Sequence, residues 1–338
     1  MDRTFYPESD LDLYVPNNSD VQVFEWLLRQ GYRFVPHRNQ RKDLGEAVKL
    51  AKEREEYSFF PRTLGAVHDF YGDEDHGNIE AVYTFTKSSP RAPNNVLKVQ
   101  CIVACKSAPM QVVLSFHSSC VMNVISYEKA YSLYPRGTLH EHRNLVFRSE
   151  HLPGRAKALK KYERRGFKPV RHDPPPSRGE ISRSFPYGAR YAEDTWCWRI
   201  PLDVAGVDTR WRIPGRNTVL PGDPVSATSW VHEPSTSYEL GELRFEAVTS
   251  KNLHFGYVLD ESACNNVLSR AEGRGGISYS PWNRNHDDRR CIDDYFIEES
   301  IAGNRENDEF LAIEEEEDYE ESEDEEEDEM DQDQDDDV

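Results

Sequence analysis

The chain has 338 residues, room for roughly two domains, and carries 41 Lys and Arg against 62 Asp and Glu, a formal charge of -21. All of that excess lies at the end: Asp308 to Val338 holds 21 acids and no base, so the remainder is formally neutral. No run approaches the ~18 apolar residues of a membrane span, the opening MDRTFYPESD lacks a signal-peptide core, and the six cysteines form no CxxC pair. These features argue against a membrane protein, a zinc framework and a disulfide scaffold, and point to buried free thiols in a reducing compartment, cytoplasmic or nuclear.

Leu11 to Val15 (LDLYV) alternates apolar and other residues and predicts a strand, with a turn at Asn17-Asn18. Ser19 is placed to cap a helix whose apolar residues Val23, Phe24, Leu27 and Leu28 share one face, and Gly31 ends it. Leu44 to Glu56 predicts a second, charged helix. Ile79 to Lys87 and Val96 to Ala104 are rich in β-branched residues and predict a hairpin across SSPRAPNN. Pro109 opens an apolar helix expected to run through MQVVLSFH, which would put His117 and Cys120 three residues apart near one helix. Pro153 precedes a basic helix, RAKALKKYERRGF, closed by Gly166. The prolines of HDPPPSRG mark a boundary or long loop. Beyond it, residues 181–260 hold four of the six tryptophans and many short β-like runs, RFEAV and HFGYVLD among them.

The expected organisation is therefore an α/β (α+β) domain with a mixed sheet at 1–170, a β-rich or irregular region at 171–305, and a disordered acidic tail at 306–338.

The chemistry-bearing segment is SDLDLYV, Ser9 to Val15. Asp10 and Asp12 sit two apart on a strand, so their side chains share a face. Two carboxylates without a base between them repel unless a cation neutralises them, and Mg²⁺ favours such hard oxygen ligands. The same pair also reads as two solvated acids at a strand edge.

The Ser-Asp-Leu-Asp-Leu run, the downstream strand order, and the segments LKVQCIVA, LSFHSSCVMNVISYEKAYSLYP and RAKALKKYERRGFKP resemble the nucleotidyltransferase superfamily of the DNA polymerase β type. They are similar in particular to uncharacterised nucleotidyltransferase-like proteins of fungi and large DNA viruses, over about Pro7 to Pro169. The resemblance implies Asp10 and Asp12 as catalytic metal ligands for Mg²⁺. It also implies Ser9, Lys98 and Gln100 as nucleotide-binding positions, and transfer of NMP from an NTP.

Two departures follow. The superfamily's Gly-Ser turn should precede the aspartates by about ten residues, yet only nine residues precede Asp10 and none is glycine. The expectation is a truncated chain or a lost nucleotide grip. A third carboxylate is also expected on the strand Val96 to Ala104, where Gln100 stands instead and Lys98 is positioned to ion-pair with an aspartate. Asp69 is the alternative third acid, while Asp73, Glu74, Asp75 and His76 read as a solvated turn. The leading expectation is a degenerate, weak or inactive enzyme serving as a binding or regulatory module. Its rivals are an active Mg²⁺-dependent nucleotidyltransferase and an acidic-tail protein that binds basic partners.

Other features read more blandly. His117 and Cys120 suggest a packed pair rather than a nucleophile and base. Arg155, Lys157, Lys160, Lys161, Arg164, Arg165 and Lys168 form a basic segment that reads as a solvated face, a nucleic-acid or phosphate contact, or a seat for the acidic tail. Trp196 and Trp198 are expected to project from one side of a strand as packing residues. RAEGRGGISYSP is glycine-rich but lacks the GK[ST] of a phosphate loop.

Overall fold

The structure is a computed structural model that describes residues 10–56, 78–89, 96–105, 108–148, 153–173, 182–206, 222–234, 240–249, 253, 255–265 and 297. Ser9, Asp69, the 73–76 acids, the 271–281 glycine run and the acidic tail lie outside the described residues.

The first layer is a mixed four-stranded sheet. Strand β1 (Leu11–Pro16) leads through the 17–19 turn into helix α1 (Asp20–Arg29), followed by β2 (Arg33–Val35), helix α2 (Leu44–Glu56), β3 (Ile79–Ser88) and β4 (Val96–Ala104). The spatial order is β1-β4-β3-β2, with β1 parallel to β4 and the other pairs antiparallel. A parallel pair needs a long crossover, and α1, α2 and the hairpin provide it.

The alternation in the strands divides the sheet's faces. Leu13, Val15, Tyr83, Phe85, Val99, Cys101 and Val103 point to one face and pack against Phe24 and Leu27 of α1 and Ala47 of α2. Phe24 stacks within 4.7 Å of Tyr83, and the benzene ring buried there contributes roughly 2–3 kcal/mol. Leu28, expected in this core, is instead 45% exposed, because α1 turns only a narrow stripe inward. Ser19 occupies the N-cap without a side-chain cap bond, its hydroxyl donating to Asn18. Gly31 leaves the helix with φ +82°, a conformation that favours glycine.

The other face is split. Its apolar part (Val82, Ile102, Ala104, Tyr14) is covered by Val112 of helix α3 (Pro109–Leu114) and by Phe116. Its polar part, carrying Asp12, Lys98, Gln100, Thr84 and Thr86, extends past that cover.

Helix α3 stops at Leu114, three residues short of the expected end. Ser115 turns its hydroxyl back to the Gln111 carbonyl, and Ser118 is extended. His117 and Cys120 therefore do not share a helix. Beyond them come β5 (Asn123–Ile125), β6 (Lys129–Ser132), β7 (Arg143–Leu145), helix α4 (Pro153–Arg164) and β8 (Lys168–Val170), which pairs parallel with β7. Gly166 closes α4 with φ +96°.

The later residues build small antiparallel sheets from β9 (Gly188–Tyr191), β10 (Trp198–Pro201), β11 (Ser229–Glu233), β12 (Glu242–Arg244), β13 (Glu246–Val248) and β14 (Tyr257–Leu259). The RFEAV run is not one strand: it breaks at Phe245, and its halves pair with different partners. Nor do Trp196 and Trp198 share a strand, since β10 begins at Trp198 and Trp196 lies in the turn built around Asp194. Strand β10 pairs with β6, and a single core cluster runs from Ala108 through Tyr134 and Phe185 to Trp230 and Val258. Core and sheet thus both continue across residue 170.

Cys101, Cys105, Cys120 and Cys197 are buried free thiols, as expected. Among the described residues, no helix is long and apolar enough to cross a membrane.

Candidate functional site

Asp10 stands one residue before β1 and Asp12 within it. The strand register puts Asp12 opposite Gln100 and Gln100 opposite Thr84, while Lys98 lies opposite Thr86. The result is two short polar rows across three strands. Lys98 Nζ lies 2.8 Å from Asp10 Oδ2. Gln100 is only 5% exposed, and its amide nitrogen has no hydrogen-bond partner among the described residues.

The carboxyl of Asp12 is open to solvent on one side and crowded on the others. Burial, then the neighbouring Asp10 charge, raise its pKa to about 6, while Lys98 and Lys161 pull it down. With a pKa of about 6, Asp12 carries a proton only about a tenth of the time at pH 7, still far more than an ordinary surface aspartate.

Lys161, in the last turn of α4, lies near enough for its charge to act on Asp12 without pairing with it, an influence the sequence did not reveal. Next to it, the Tyr162 ring has the Lys161 ammonium 5.8 Å and the Arg165 guanidinium 5.5 Å from its centroid. Burial first, then Cys120, raise the Tyr162 phenol to about 12, with Asp12 and Asp10 adding to the effect and Arg165 opposing it. The Tyr162 ring also lies 6.2 Å from the His117 ring, centroid to centroid. The last turn of α4 thus stands between the carboxylate pair and the His117–Cys120 segment.

That segment is built for packing. The Ser118 hydroxyl lies 2.6 Å from His117 Nδ1 and 3.8 Å from Cys120 Sγ, and Asn144 Oδ1 accepts the Cys120 amide at 3.0 Å. Burial, reinforced by Arg155, lowers His117 to about 4, and burial raises the Cys120 thiol to about 12. A neutral imidazole beside a protonated thiol is neither an activated nucleophile nor a general base poised for neutral pH.

The donor set fits Mg²⁺ poorly. One oxygen of Asp10 is taken by an ammonium, the position of the third acid holds an amide, and no cluster of three His, Cys, Asp or Glu suited to a metal occurs among the described residues. What the arrangement offers is a polar surface patch. Carboxylates and an amide line the sheet side, and cations and a phenol line the helix side.

No family model matches the chain, and no curated protein or solved structure matches it either.

Proposed function

We propose that this chain is a degenerate nucleotidyltransferase-like protein, weak or inactive in transfer, that works as a binding or regulatory module in the cytoplasm or nucleus. The patch between Asp10, Asp12 and the end of α4 holds its ligand, and the resemblance makes a nucleotide the first class to test. One observation carries the reading: Lys98 neutralises Asp10, and Gln100 faces Asp12 where a third carboxylate would be needed. Two-metal phosphoryl transfer depends on carboxylates that hold ions against the triphosphate. An ammonium inside the pair supplies the neutralising charge permanently and leaves the hydroxyl to be activated without a metal ligand.

Isothermal titration with Mg²⁺ and Mn²⁺ tests this. The wild-type chain should give no saturable heat, and the double variant Asp10→Asn, Asp12→Asn should behave alike. The gain-of-charge variant Lys98→Ala, Gln100→Glu frees Asp10 and adds an isosteric third acid, and it should acquire a saturable metal isotherm. A wild-type isotherm that vanishes in the double variant, accompanied by NMP transfer from labelled NTP, would replace this reading with that of an active enzyme.

A further inference from the structure

Helix α4 carries a charge pattern that the patch does not use up. Lys157, Lys160, Lys161 and Arg164 follow the i, i+3, i+4, i+7 spacing of a single helix face, and Lys168 follows on β8. Lys157, Lys160, Arg164 and Lys168 are exposed, and Lys161 is half-buried. None of the five pairs with a carboxylate among the described residues. Their only polar contacts there are local: Arg164 Nε donates to the Lys160 carbonyl, and Lys161 rests on Tyr162. Several cations elsewhere are answered. Lys129 pairs with Glu193, Arg143 with Asp173 and Glu141, Arg190 with Asp194, and Arg244 with Glu233.

We propose that this face of α4 is the docking site of the chain's own acidic segment, Asp308 to Val338. The segment holds all of the chain's excess charge, 21 acids with no base. A row of cations at one-turn spacing suits a segment in which acids follow one another almost without interruption. Single exposed ion pairs contribute little, about 0–1 kcal/mol, but several acting together with release of bound counterions add up, as in polyanion binding generally.

Reach is no obstacle. Ile297 is packed in a core cluster, and 41 residues follow it. Forty-one residues can span at most about 140 Å, against a radius of gyration near 19 Å for a folded body of about 300 residues. A tether of this kind places its acids at millimolar effective concentration around the helix. This inference does not depend on the nucleotidyltransferase resemblance and survives its failure.

The test is zero-length carbodiimide cross-linking of the full chain, with linked peptides mapped by mass spectrometry. At about 50 mM NaCl, acids of 308–338 should join Lys157, Lys160 and Lys168. At about 500 mM, where the Debye length falls to a few ångströms, these links should drop severalfold. A second arm follows a fluorescent twelve-nucleotide DNA probe at low salt. The full chain with Glu314–Glu317 and Glu325–Glu327 changed to Gln should bind it about tenfold more tightly than wild type. Adding Lys157→Glu, Lys160→Glu and Arg164→Glu should abolish the gain. Tail links absent, or spread over other lysines, would overturn the proposal. So would a wild-type chain that binds the probe as tightly as the tail-neutralised one, which would make the face a nucleic-acid surface instead.

Discussion

Two regions of this molecule treat charge in opposite ways, one burying it and one leaving it at the surface. In the later half, Arg190 and Asp194 are each about 2% exposed and are fully answered. Arg190 Nε donates to Asp194 at 2.5 Å and Nη2 to the Leu133 carbonyl at 3.2 Å, while the guanidinium lies over the rings of Tyr134 and Trp230. The other oxygen of Asp194 accepts the amides of Trp196 and Cys197 at 2.9 and 2.8 Å. At β1, Asp12 has an acid on one side, an amide across the strand and no ion pair of its own. A charge so well satisfied organises the fold. A charge whose ionised form is disfavoured yet retained marks a place where something other than stability is served.

The contrast can be broken most forcefully at the hub. Asp194→Ala leaves a buried guanidinium without its counter-charge and three donors without an acceptor, so a loss of about 3–5 kcal/mol is expected. In a thermal melt this should lower Tm by roughly 10 °C or more, whereas any single change at Asp10 or Lys98 should move it far less.

A second, smaller effect comes from acid. Burial, reinforced by Arg190, holds His232 down to about 4, although the Pro186 carbonyl at 2.9 Å favours the proton. His117 is held at about 4 as well. A base with a lowered native pKa binds fewer protons than the unfolded chain does below about 6.5. Stability present above that pH is therefore lost as pH falls towards 4, by about 2–3 kcal/mol for a fully buried imidazole. Urea melts at pH 7 and pH 4.5 should show the drop, and His232→Gln should remove its share and leave that of His117.

The smallest expected change is at Asp12. Asp12 has a raised native pKa, so its favourable contribution is complete below the unfolded value of 3.8 and disappears as pH rises through about 6. Asp12→Asn removes a cost paid only by the ionised form. It should stabilise the protein at pH 7.5 by on the order of 1 kcal/mol, once solvent on its open side is allowed for, and by nothing measurable at pH 4. Equal melts at both pH values would mean that Asp12 ionises as freely as any surface acid.

Most of the first sheet was legible because its signals are local. Alternation marked β1, β3 and β4, glycine marked the ends of α1 and α4, and the two-residue offset of Asp10 and Asp12 put them on one side. Lys98 and Gln100 followed from the same alternation on β4. Period and turn residues say nothing about what arrives from afar. Nothing in the α4 sequence announces that Lys161 and Tyr162 stop beside β1. The break after Leu114 depends on Ser115 capturing the Gln111 carbonyl, which a purely apolar pattern masks. Leu28 fitted the helical stripe and still faces water, because spacing fixes which residues share a face and not how wide the covering core is. The pairing of Arg190 with Asp194 was invisible for a related reason: its value comes from Tyr134 and Trp230, supplied by segments far off in the chain.

The pairing of β6 with β10 has a consequence for how the protein is made. Trp198 meets Ser132 and Pro201 meets Lys129, so a strand completed early has one edge that closes only with residues some 66 positions later. At elongation rates of about 5–20 residues per second, a nascent chain spends roughly 3–13 s with that edge unsatisfied. During this interval the open strand, with Val124 and Ile125 beside it on β5, is the part of the emerging polypeptide most in need of shelter by a chaperone or of sparse traffic on the message.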